Sequence, residues 1–99
     1  MEYYQQGDCL IKPAKIPNKA NKKRRNVLIE GELTGHVHRV TEGQFEIMIE
    51  AQKIFLKAIT ECKVTHEEHR EIVIPPGEYE IDRVREADPF QNAVRSVMD

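Results

Sequence analysis

Four histidines occur in this chain, and they fall in two short motifs, Gly35-His36-Val37-His38 and Thr65-His66-Glu67-Glu68-His69. On a strand, positions two apart share a face, so the rings of His36 and His38 lie close enough to hold one ion. The second motif is not the HExxH of zinc proteases, because its histidines are three apart rather than four. On a single helical turn, His66 and His69 would still point the same way. Three or four imidazoles suit a divalent transition metal such as Zn²⁺, Fe²⁺, Mn²⁺, Ni²⁺ or Cu²⁺. Glu42, Glu67, Glu68 and Glu71 are the nearby carboxylates, as further ligands or as acceptors that orient a ring N–H. With one coordination position open, a bound water would be acidified for hydrolase- or isomerase-like work on a small polar substrate. With four protein ligands, the ion would be structural. A hydrogen-bond network without metal is the third reading of the same spacing.

Other chemistry is sparse, and no organic cofactor is indicated. Cys9 and Cys62 form no CxxC and sit in apolar segments, as buried reduced thiols do. Cys62 precedes His66 by four residues, which keeps a Cys/His nucleophile in view despite its apolar neighbours. The glycines make neither GxGxxG nor a phosphate loop, and the sole serine, Ser96, has no histidine near it.

Charge is distributed unevenly although the net value is −2. Residues 1–25 carry seven basic against two acidic groups, a local charge of +5, whereas the remainder carries eight against fifteen, or −7. The run Lys22-Lys23-Arg24-Arg25 defines the alternative function, a non-enzymatic nucleic-acid or protein interaction module using the basic loop 12–25. No aromatic residue interleaves with the run, so base stacking is unsupported, and the acidic body ranks nucleic acid second.

The elements that must position the histidines read as strands. Phe45, Ile47 and Ile49 alternate with Glu46, Met48 and Glu50, and residues 54–59 supply a hairpin partner. A helix over 44–61 is the rival assignment, disfavoured by the β-branched and aromatic content. Short apolar runs at 8–11, 26–33, 36–40, 72–74 and 78–85 complete the set, with Pro75-Pro76-Gly77 as a stop. The polar stretch 65–70 reads as a turn or one helical turn. Residues 13–25 read as a mobile basic loop, and 90–98 show helical spacing for a short C-terminal helix. The expected fold is mainly β, a small barrel or sandwich of about six or seven strands.

At 99 residues, 39% hydrophobic and 32% charged, the chain fits one globular domain, 1–99. Its stability is modest at that size, so an ion or a second subunit would help. The edges of so small a sheet suit a homodimer. No apolar run approaches a membrane span, and the first residues lack signal-peptide character, so the expected compartment is the cytoplasm.

Two resemblances add to this. The stretch from Gly31 to Glu42 resembles the first cupin motif, whose metal ligands are HxH and a glutamate four residues later, and Ile74-Pro75-Pro76-Gly77 resembles the turn of the second. That likeness implies His36, His38 and Glu42 as ligands. Cupins place their last histidine after the turn, where this chain has Glu80. A longer series is similar to a family of small uncharacterised bacterial proteins and implies a shared fold. It comprises Gln6-Gly7-Asp8, Glu30-Gly31-Glu32-Leu33-Thr34-Gly35-His36-Val37-His38-Arg39, Thr65-His66-Glu67-Glu68-His69, Pro75-Pro76-Gly77-Glu78-Tyr79 and Arg85-Glu86.

Overall fold

Alternating and β-branched segments form strands wherever they can bury one face, and a computed structural model shows them throughout the described residues, 2–30 and 35–84. In chain order these are β1 (Tyr4–Gln6), β2 (Cys9–Pro13), β3 (Asn21–Lys23), β4 (Val27–Glu30) and β5 (Val37–Glu42). They continue as β6 (Phe45–Glu50), β7 (Lys53–Ala58), β8 (Cys62–Thr65), β9 (Ile72–Ile74) and β10 (Gly77–Arg83). Ten strands among the described residues exceed the six or seven expected. The additions are β1 and β3, which are short and polar, and β8, whose alternation Cys62-Lys63-Val64-Thr65 spans only four residues.

The strands form two antiparallel sheets, ordered β1-β2-β10-β7-β6-β3 and β4-β5-β8-β9. Neither closes into a barrel. β6 and β7 form the expected hairpin, with Ile47 opposite Leu56 and Glu50 opposite Lys53, so the helix over 44–61 does not form. β10 joins two neighbours, with Ile81 opposite Ile11 on one side and Ile54 on the other. Both sheets feed one core. Ile11, Ile47, Leu56 and Ile81 come from the first, and Leu28, Val40, Val64 and Ile74 from the second. Each such side chain, once buried, contributes about 1.5–3 kcal/mol.

The segment read as a basic loop contains β3, which pairs with β6 through Lys22 opposite Met48. All three residues of β3 are exposed, so backbone pairing rather than burial holds this edge. The polar stretch after β8 is a bend, without helix. The helical spacing at 90–98 lies outside the described residues. Among the described residues no helix is long and apolar enough to cross a membrane.

Two register shifts matter for the site. One falls on β4 between Val27 and Ile29, and the other on β5 between Val40 and Glu42. A bulge breaks the two-residue alternation and re-aims the side chains beyond it. His38 and Val40 therefore face inward, whereas Glu42 is exposed.

Candidate metal centre

His38 is the floor of the site. It lies on β5, is 1% exposed, and has a hydrogen-bond partner on each ring nitrogen. Nδ1 stands 2.8 Å from Gln6 Oε1, and Nε2 stands 2.9 Å from Asp8 Oδ1. The amide of Gln6 cannot be turned over, because its Nε2 donates to the carbonyls of Val64 and Arg70, each at 3.0 Å. Oε1 must therefore accept, and His38 must carry a proton on Nδ1. The 2.9 Å contact of Nε2 with Asp8 Oδ1 is a hydrogen bond only when a second proton sits on Nε2; in the neutral ring two acceptors face each other there.

Around this floor the other imidazoles gather. Ring centroids are 4.2 Å apart for His38 and His66, 4.6 Å for His66 and His69, and 5.9 Å for His38 and His69. His36 meets His66 edge-on at 5.6 Å. His66 thus neighbours the rings of the other three histidines.

Two glutamates hold the bend that carries His66 and His69. Glu67 Oε1 accepts the Val37 N–H at 3.0 Å, which fastens the bend to β5. That bond, chiefly, holds the Glu67 carboxyl below its usual range. Glu68 Oε1 stands 2.6 Å from His36 Nδ1, and the Glu68 N–H donates to His66 Nδ1 at 3.0 Å. With Nδ1 accepting, neutral His66 keeps its proton on Nε2 and is a donor toward its surroundings.

Burial works against charge on two of the rings, His38 and His66. Burial lowers the pKa of His38, the Asp8 hydrogen bond opposes this, and the nearby His66 and His69 add to the lowering. His66 is lowered too, first by burial and then by His69. A neutral ring is the metal-binding form.

Other sequence candidates lie elsewhere. Glu42 forms an ion pair with Lys63 at 2.6 Å, its register partner on β8, because the β5 bulge takes it out of the inward row. Glu71 also reaches Lys63, at 3.6 Å, and Glu80 faces Lys12 at 3.9 Å. Neither glutamate named by the cupin likeness, Glu42 or Glu80, therefore joins the histidines. Cys62 begins β8 and His66 follows its other end, so they form no dyad. Burial pushes the Cys62 thiol up, and that of Cys9 to about 12. In the basic run, Lys22 pairs with Glu46 at 2.8 Å, and Arg25 donates to the carbonyls of Val27 and Leu28.

Sequence reasoning named no role for Gln6, Gly7 or Asp8, which form the turn between β1 and β2 beneath the rings. Their only signal was the contiguous Gln6-Gly7-Asp8 in the longer motif series. Among the described residues, no group of three or more His, Cys, Asp or Glu side chains is already arranged to hold a metal ion.

Fold and site together define a small two-sheet β domain with a histidine cluster at one end of the sandwich. The chain belongs to a family described as a domain of unknown function, DUF8820, which matches residues 5–84. No curated protein and no solved structure matches it.

Proposed function

We propose that this domain binds a divalent transition metal through His38 Nε2, Asp8 Oδ1 and His69, with His66 beside the open coordination positions. The observation that carries the reading is the Gln6 lock, which fixes the Nδ1–H tautomer of His38. Metal-bound histidines characteristically donate their second ring N–H in this way. The 2.9 Å between His38 Nε2 and Asp8 Oδ1 also suits two adjacent ligands. For metal–ligand bonds of about 2.0–2.1 Å at angles of about 90–110°, neighbouring donor atoms are about 2.8–3.4 Å apart and imidazole centroids about 5 Å. The ring separations in the cluster bracket that value. Closing on an ion needs a rotation of the exposed His69 ring where it lies against the β1–β2 turn, while buried His38 stays fixed.

Two imidazoles and one carboxylate leave positions for water or substrate, the pattern of open metal centres. His66, with its proton on Nε2, would donate a hydrogen bond to whatever oxygen occupies them. The activity that fits is activation of water or polarisation of a small polar substrate. Glu68 and His36 form the outer wall.

One observation favours a second reading. At 2.9 Å, a proton shared between His38 Nε2 and Asp8 makes a complete hydrogen-bonded ion pair, and the cluster is then purely structural. Elemental analysis of the purified, untagged protein separates the two. Stoichiometric metal that is lost in Asp8→Asn and His69→Ala but kept in His36→Ala supports the metal centre. A metal-free protein that takes up no added Zn²⁺, Fe²⁺, Mn²⁺ or Ni²⁺ leaves the ion pair.

A further inference from the structure

Gly7 lies at the centre of the β1–β2 turn with φ +57°, between the residue that orients His38 and the residue that meets its Nε2. The positive φ explains a glycine, but the space around it says more. A Cβ placed on Gly7 would lie 2.7 Å from His69 Cδ2 and 2.8 Å from Cε1, and closer still to Nε2. Real Cβ atoms do not approach a ring so closely. The imidazole of His69 therefore fills the place where any other residue would carry its side chain.

His69 is the exposed member of the cluster, at the tip of a bend, with no strand to fix it. Its stacked approach to His38, with ring planes 14° apart, depends on lying down against the turn. We infer that Gly7 is a positioning residue for the metal centre: its missing side chain seats His69 within reach of His38 and Asp8. This rests on the metal-binding reading proposed above. Gln6, Gly7 and Asp8 would then each do one task, orienting one ligand, seating a second and supplying a third.

The obstructing group is the end of a movable side chain rather than backbone. Gly7→Ala should therefore fold and displace the ring outward, so that binding suffers more than stability does. Gly35 supplies the control for backbone strain. Its φ is +74°, and among the described residues a Cβ there meets nothing within 4 Å, so Gly35→Ala carries a similar conformational penalty without the clash.

The test is a cobalt(II) titration of the full chain, read as dissociation constant and visible absorption spectrum. The variants are Gly7→Ala, His69→Ala, the double variant and Gly35→Ala, with thermal melts on each. We expect Gly7→Ala to weaken binding by about 10–100-fold, as loss of an orienting contact does. Its cobalt spectrum should match that of His69→Ala, and the double variant should bind no more weakly than His69→Ala alone. Gly35→Ala should keep the parent spectrum and affinity. If the parent binds cobalt and Gly7→Ala binds it equally well, the positioning role is wrong and the metal centre stands. Additive losses in the double variant also refute it, since Gly7 would then act by general loosening. A parent that binds no cobalt removes both.

Discussion

Replacing Gln6 with methionine keeps the length and volume of a side chain that is 2% exposed, and it deletes every polar contact. Two donations are lost, to Val64 O and Arg70 O, together with the acceptor for His38 Nδ1. Three hydrogen bonds at about 1 kcal/mol each give about 3 kcal/mol, and stranding the His38 N–H and the Val64 carbonyl raises the cost to about 3–5 kcal/mol. A domain of this size has about 5–10 kcal/mol in total, so Gln6→Met should remain folded but only narrowly. With an m-value of about 1.5 kcal/mol/M, the urea midpoint followed by far-ultraviolet circular dichroism should fall by about 2 M or more. Gln6→Ala adds a cavity and does not isolate the polar effect. A midpoint shift below about 0.5 M, with m unchanged, would show that the lock contributes little, and the tautomer assignment for His38 would lose its basis.

The geometry sets three further outcomes. Cys62 and Tyr79 are buried and protonated, and burial raises both above their ordinary values of 9.0 and 10.0. The unfolded chain ionises these groups first, so stability is full below pH 9 and is lost as pH rises beyond it; thermal melts from pH 8 to 11 should show a falling midpoint. Ala51 begins the β6–β7 turn with φ +54°, so Ala51→Gly should stabilise by about 1 kcal/mol in urea denaturation, and a loss would mean the turn is unstrained. Both thiols are deep in the fold, so a thiol reagent at pH 8 should label neither cysteine until denaturant is added.

The β6–β7 hairpin was legible because the alternation of β6 ran for six residues and β7 is an apolar, β-branched and aromatic run. β3 was not, since Asn21, Lys22 and Lys23 bury nothing and are held by the ladder to β6 and by the Lys22–Glu46 pair. Spacing foreshadowed the closeness of His66 and His69 on one bend, whereas the two motifs meet because β5 pairs with β8 through Arg39 opposite Thr65, which spacing within a motif does not announce. Asp8 and Gln6 escaped notice because their partners are some thirty to sixty residues away, and only the β1–β2 turn brings them beneath β5. Glu42 misled for a different reason. One bulge after Val40 reverses the face on which position 42 falls, and no residue type between 40 and 42 announces it.

The span of those contacts bears on how the protein comes into being on the ribosome. Gln6 is joined to residues 58 and 64 positions further along the chain, so the floor of the site forms only after most of the domain has been synthesised. Long-range closures of this kind slow folding, because chain entropy is lost before the contacts that offset it are made. A nascent chain stalled before His69 would hold Asp8, His36 and His38 yet lack the ring of His69 and the carbonyl of residue 70. It would be unable to fix the His38 tautomer or retain an ion. If the domain holds an ion as proposed, metal capture would mark chains made past residue 70, and shorter ones would go without it.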